Sequence, residues 1–123
     1  MKKILIVEDV EYNRDLLTQL LEEEFEVIAA TDGAAGIAMA QRERPDLILM
    51  DLAMPVVDGW EATRRIKADE CLRTIPIIAL TSHAMQGDEA KARASGCDGY
   101  LTKPLDEVLL FKMVHRFLGS DDA

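Results

Sequence analysis

Short aliphatic runs alternate with longer stretches of helical spacing five times along the chain. The runs fall at residues 4–7, 27–30, 47–50, 75–80 and 99–101. Three of them are continuously apolar, the pattern of strands buried on both faces of a parallel sheet. Between the runs the period changes. Leu16, Leu17, Leu20 and Leu21 repeat at helical intervals, and Ile37 with Ala38 and Ala40 begins a second, weaker stripe. Asp32-Gly33 marks the turn before that stripe and Pro45 the stop after it. Trp60, Thr63, Ile66 and Lys67 continue the helical spacing after Gly59, and a last helix is expected over residues 106–118. Five βα units with short connections predict an α/β fold, a doubly wound parallel sheet with helices on both faces. The flavodoxin-like (βα)5 arrangement, strand order 2-1-3-4-5, is the leading choice. Residues 1–119 are expected to form one domain, and residues 120–123 a short tail with no output domain behind it.

Composition narrows the function. A chain of 123 residues, almost half of them apolar, folds without a metal or disulfide staple. A net charge of −9 leaves no cationic stripe to release phosphate counterions, so nucleic acid and anionic membranes are not expected as direct partners. No apolar stretch approaches the length of a membrane span, and the opening MKKILIVED lacks the features of a signal peptide. Cytoplasmic residence is the expectation. Cys71 and Cys97 have neither metal-ligand spacing nor enough partners for a disulfide framework, and read as ordinary thiols. Glu22, Glu23 and Glu24 read as a solvated helix end, His115 as a helix-surface residue, Trp60 as the cap of a helix face, and Met39 and Met85 as packing.

In open parallel sheets the site lies at the carboxyl ends of the strands. Those positions hold Glu8-Asp9 after the first run, Asp51 after the third, Thr81-Ser82 after the fourth and Lys103-Pro104 after the fifth. Three carboxylates at close range repel one another unless a cation sits among them. Magnesium suits such a set, since it binds through one or two carboxylates, waters and a phosphate oxygen. A carboxylate can attack phosphorus to form an aspartyl phosphate. Lys103 then supplies a mobile charge, and Thr81 a hydrogen bond to a phosphate oxygen.

The segments ILIVEDVEYNR, PDLILMDLAMPVVDGWE, IPIIALTSHA and GCDGYLTKPL together resemble the receiver domain of two-component response regulators, from Lys3 to Leu118. The resemblance implies that Asp51 is the phosphoacceptor. It implies that Asp9, helped by Glu8, holds Mg2+ together with Asp51 and the backbone carbonyl of Ala53. It gives Thr81 and Lys103 to the phosphoryl group, Tyr100 to the aromatic switch position, and a cis bond to Lys103-Pro104. Ala53 and His83, two residues after Asp51 and Thr81, are candidates for tuning the lifetime of the phosphoryl group.

The implied partners are a sensor histidine kinase or histidine phosphotransfer protein, near Asn13, Arg14 and Leu17, and a downstream protein target. The target is expected on helix four, strand five and helix five, where Leu109, Leu110, Phe111, Met113, Val114, Phe117 and Leu118 form a broad apolar arc. A monomer, or a weak phosphorylation-dependent dimer, is expected, acting as a terminal regulator or as a phosphorelay carrier. Two rivals fit less well. Glu8-Asp9 in the first loop would repel a flavin phosphate, and a phosphohydrolase usually needs a second acid where this chain has Ala53.

Overall fold

Five aliphatic runs become five parallel strands, each followed by a helix. In the computed structural model, residues 1–54, 56–82 and 88–119 are described, excepting the side chain of Asp88. The strands are β1 (Lys3–Val7), β2 (Glu26–Ala30), β3 (Leu47–Asp51), β4 (Ile77–Thr81) and β5 (Gly99–Thr102). The helices are α1 (Glu11–Leu21), α2 (Gly33–Glu43), α3 (Gly59–Ala68), α4 (Asp88–Ala94) and α5 (Glu107–Leu118). The sheet order is β2-β1-β3-β4-β5 and every pair is parallel, as the alternation predicts.

Burial follows the pleat. Leu5, Val7, Ile48, Met50, Ile77 and Ala79 face one way, onto Ala40 of α2, Ala62 and Ile66 of α3 and Ala92 of α4. Ile4, Ile6, Leu47, Leu49, Ile78 and Leu80 face the other way, onto Leu17 and Leu21 of α1 and Leu110 and Val114 of α5. Alternate residues of the same strand thus feed two cores, so β3 and β4 carry no polar residue until their last positions. β2 is an edge strand, with Glu26 and Ala29 exposed, Val27 and Ile28 half-buried and Ala30 buried.

Helix starts are capped where the sequence offers an aspartate. Asp32 accepts from the Ala35 N–H, Asp58 from the Glu61 N–H, and Asp106 from the Val108 and Leu109 N–H groups. These three caps hold the loops above the carboxyl ends of β2, β3 and β5.

Two expectations are corrected. The fourth strand begins at Ile77 and ends at Thr81, not over residues 75–80. Pro76 has no N–H to give a ladder, and the Ile75 N–H turns back to the Leu72 carbonyl at 3.0 Å. His115 is not a plain surface residue. Its Nε2 lies 2.7 Å from Glu24 Oε1, and its ring packs between Phe25 and Phe111. Glu24 is therefore tied to α5, while Glu22 and Glu23 are exposed. Trp60 is half-buried against the core with the Lys91 ammonium 4.7 Å above its ring, and Met39 packs there too. His83 and Met85 lie outside the described residues, as do residues 120–123.

Candidate functional site

The strand register gathers the polar residues at one end of the sheet. Val7 pairs with Met50, so Glu8 and Asp51 emerge side by side where β1 and β3 end. Asp51 pairs with Leu80, which brings Thr81 one step beyond it on the next strand. Thr81 in turn pairs with Thr102, and the Lys103 N–H donates to the Thr81 carbonyl at 2.7 Å. The Lys103–Pro104 bond is cis, as expected.

Glu8, Asp9 and Asp51 each offer a carboxylate oxygen, all within 4.8 Å of one another. Glu8 is fully buried and Asp51 is 3 % exposed, while Asp9 is open to solvent. The Lys103 ammonium reaches between the two buried acids, 2.7 Å from Glu8 Oε2 and 3.6 Å from Asp51 Oδ2. The closer pairing is with Glu8. The other Glu8 oxygen accepts from the Val10 N–H at 3.2 Å and the Asn13 amide at 3.5 Å.

Burial pushes the Asp51 carboxyl up from 3.8 to about 7. The Ala53 N–H, 3.1 Å from Asp51 Oδ1, opposes that rise, the Glu8 charge adds to it, and the Lys103 charge opposes it. A desolvated carboxylate among like charges is costly to ionise, and a hard divalent cation removes that cost. Three oxygen donors within one ion's reach fit magnesium well. They would suit a soft metal poorly, because no thiol or imidazole joins them among the described residues.

The other expected residues divide. Thr81 is buried at the end of β4, and Tyr100 is half-buried on β5 against the core that holds Met54 and Ala79. Ala53 is exposed beside the acids. Arg14, expected at the surface of α1, is half-buried with Nη1 3.0 Å from the Glu8 carbonyl. Spacing alone had no way to reveal that tie. Nor did it reveal Val56, which is fully exposed with φ +66° in the turn after β3.

Two grooves flank the site. One, of about 270 Å3, lies between α1 and the end of β5, lined by Tyr12, Asn13, Leu16, Leu17, Lys103, Pro104 and Leu105. Tyr12 is 74 % and Leu16 41 % exposed, so this groove presents apolar side chains to solvent. The second, of about 480 Å3, runs along β5 and α5, between Tyr100, Leu101, Leu109, Lys112, Met113 and Arg116.

Comparison with known proteins agrees with this arrangement. The family model described as the response regulator receiver domain matches residues 4–115. The polar-differentiation response regulator DivK of Brucella anthropi is 41% identical over 120 residues, 97% of this chain and 98% of that protein. Among solved structures, one similar chain is the receiver domain of the sensor histidine kinase PA1611 of Pseudomonas aeruginosa PAO1, with a magnesium ion coordinated in its active-site cleft. It has a TM-score of 0.88 and 40% identity, covering 97% of this chain and 98% of that one. Another is from the complex of the Saccharomyces cerevisiae histidine phosphotransfer protein Ypd1 with the receiver domain of its downstream response regulator Ssk1. It has a TM-score of 0.87 and 31% identity, covering 94% of this chain and 88% of that one.

Proposed function

The chain belongs to the response regulator receiver domain family of two-component signalling, and from that premise we propose that Asp51 accepts a phosphoryl group from a histidine-phosphorylated protein. The observation that carries the reading is a buried Asp51 carboxylate beside two further acids and one ammonium, at the carboxyl ends of adjacent parallel strands. Burial and the neighbouring Glu8 charge make this carboxylate costly to ionise even with Lys103 beside it, and acids perturbed in that way cluster at functional sites.

An Asp51 carboxylate oxygen attacks the phosphorus, and the bond from phosphorus to the donor's imidazole nitrogen breaks. The product is an acyl phosphate on Asp51. Asp9, Asp51 and the Ala53 carbonyl, with help from Glu8, would hold magnesium, which when bound would supply charge neutralisation for the phosphoryl oxygens. Lys103 starts on Glu8, 2.7 Å away, and needs only a small swing to reach the new phosphoryl oxygens past Asp51. The Thr81 hydroxyl donates to another of those oxygens. Charge-assisted hydrogen bonds of this kind contribute about 1.5–3 kcal/mol each. Two of them approach the ~5.5 kcal/mol that takes a two-state equilibrium from 1:99 to 99:1. Tyr100, on the strand beside Thr81, turns inward as the threonine moves, and so carries the change to the groove along β5 and α5. Ala53 and His83 set how readily water reaches the acyl phosphate.

The groove between α1 and Pro104 is the docking surface for the donor. It touches Lys103 directly and offers exposed apolar side chains that a protein, but not a small phosphate, can cover. The likeness to a receiver solved with a histidine phosphotransfer protein supports a donor of that class. It also fits a place in a phosphorelay, as a terminal receiver or, in the second reading, as an intermediate that passes its phosphoryl group onward.

The test is chemical trapping. After incubation with a small acyl phosphate and magnesium, borohydride should reduce the modified residue to homoserine at position 51, read by peptide mass. Homoserine at another aspartate, or none, contradicts the assignment.

A further inference from the structure

The turn that leaves β3 is pressed from two sides by glycines that have no room for a side chain. A β-carbon on Gly59, the first residue of α3, would overlap the Asp51 carbonyl oxygen and lie 2.6 Å from the Leu52 Cα. A β-carbon on Gly33, the first residue of α2, would overlap the Val57 carbonyl oxygen and lie 2.9 Å from Val57 Cγ1. In both cases the obstacle is backbone, which cannot rotate away as a side chain can. The two helix starts therefore bear on opposite ends of one turn.

Hydrogen bonds fasten the same segment. The Gly59 N–H donates to the Leu52 carbonyl at 3.2 Å, and the Ala53 N–H to Asp51 Oδ1 at 3.1 Å. The caps from Asp32 and Asp58, at 2.7 and 2.9 Å, fix where α2 and α3 begin. Between the two contacts the chain passes through Val56 at φ +66°, a region that β-branched residues rarely occupy. A strained residue persists where its surroundings over-determine the backbone, and two rigid contacts do that here.

We infer that Gly33 and Gly59 are positioning residues for phosphoryl acceptance, pinning the turn so that Ala53 stands against Asp51 with its N–H on the carboxylate and its carbonyl available to magnesium. The metal half of this role rests on the function proposed above; the pin itself does not. Placement within a few tenths of an ångström matters at such a site, because metal ligands and the attacking oxygen must share one geometry.

Gly36 provides the control. A β-carbon there would come within 2.8 and 2.9 Å of the two Val7 methyl groups, crowding the core without touching the turn. The experiment compares Gly33→Ala, Gly59→Ala and Gly36→Ala by two readouts: the Ala53 amide in 15N–1H spectra of metal-free protein, and the magnesium dissociation constant by calorimetry. Gly33→Ala and Gly59→Ala should displace or broaden the Ala53 amide and weaken magnesium binding at least tenfold. Gly36→Ala should lower Tm while keeping the amide in place and the dissociation constant within about twofold. An unmoved Ala53 amide in both turn-facing variants, with magnesium affinity no weaker than in Gly36→Ala, overturns the inference.

If either turn-facing variant does not fold, hydrogen exchange on the metal-free wild type decides. The Ala53 and Gly59 amides should exchange at least tenfold slower than in an unstructured chain, and exchange at the unstructured rate overturns the pin. A wild type that binds no magnesium overturns the functional reading and the metal half of the inference, while the amides still judge the pin.

Discussion

Asp51 is the residue on which the account turns, and its surroundings make a testable statement about pH. Its carboxyl is raised from 3.8 to about 7, chiefly by burial. A raised acid favours the folded state while protonated. That contribution is whole below about pH 4 and is lost as pH rises through 7, leaving a buried charge that weakens the fold. Asparagine at this position does not titrate. In metal-free protein, Asp51→Asn should therefore be more stable than wild type by about 2–4 kcal/mol at pH 8, with the gain shrinking toward pH 5. Urea unfolding at the two pH values checks this, and a gain independent of pH contradicts it. Asp51 was legible in the sequence because an acid ending an apolar run has no packing reason to be there. Its pairing geometry was not, because which acid Lys103 chooses depends on side-chain positions contributed by β1, β3 and the loop after β5. In the fold Lys103 lies nearer to Glu8 than to Asp51. Val56 carries a second residue-scale prediction. Left-handed backbone costs a non-glycine residue ~1–2 kcal/mol, more than the ~0.5–1 kcal/mol of chain entropy that glycine forfeits. The side chain is fully exposed, so no packing is lost on removing it. Val56→Gly should gain about 0.5–1 kcal/mol in urea unfolding, and a loss would show that the left-handed turn carries no strain.

Elements were easier to read than the ties between them. Continuous apolar runs gave β1, β3 and β4, since a strand buried on both faces admits nothing else. Asp32-Gly33 marks where α2 begins and Asp106 opens the last helix, whereas the Asp58 cap of α3 is seen only in the structure. What periodicity does not encode is contact between distant elements, and Lys67 illustrates this. It fell on the stripe of α3 as one more helical position. Its ammonium donates to the carbonyls of Arg73 and Ile75 at 3.1 and 2.7 Å, and to Asp98 Oδ2 at 2.8 Å. The same Asp98 oxygen accepts from the Ile77 N–H that opens β4. One lysine thus joins the end of α3, the approach to β4 and the start of β5. Lys67→Met keeps the stem but takes the ammonium from the Arg73 and Ile75 carbonyls and from Asp98, which keeps the Ile77 N–H, and should cost about 1–2 kcal/mol in urea unfolding. A change below half a kcal/mol would mean that solvent replaces the ammonium freely. The tie of His115 to Glu24 escaped the sequence for the same reason, being a contact across 91 positions.

At the scale of the molecule, the order of the parallel strands puts Glu8, Asp9, Asp51, Thr81 and Lys103 at one end of the sheet, where the rule for such sheets places a site. The surfaces around it were less legible, because exposure depends on which neighbours cover a helix. The arc of α5 divides accordingly. Leu110 and Val114 are buried, Leu109 is 51 % exposed, and Phe111, Met113, Phe117 and Leu118 are partly covered. On the opposite flank, Tyr12 and Leu16 stand exposed beside Lys103. If that groove receives the phosphodonor protein, Tyr12→Ala and Leu16→Ala should slow transfer from a phosphorylated histidine phosphotransfer protein at least tenfold. Labelling by a small acyl phosphate should stay within twofold of wild type. Equal slowing with both donors would place the defect in the chemistry rather than in docking.

Intact mass tests phosphoryl acceptance by Asp51 most directly. Wild-type protein incubated with a small acyl phosphate should gain one phosphoryl group when magnesium is present and none when it is chelated, and Asp51→Asn should gain none in either case. An equal gain in Asp51→Asn, or a full gain by wild type without a divalent cation, would contradict it.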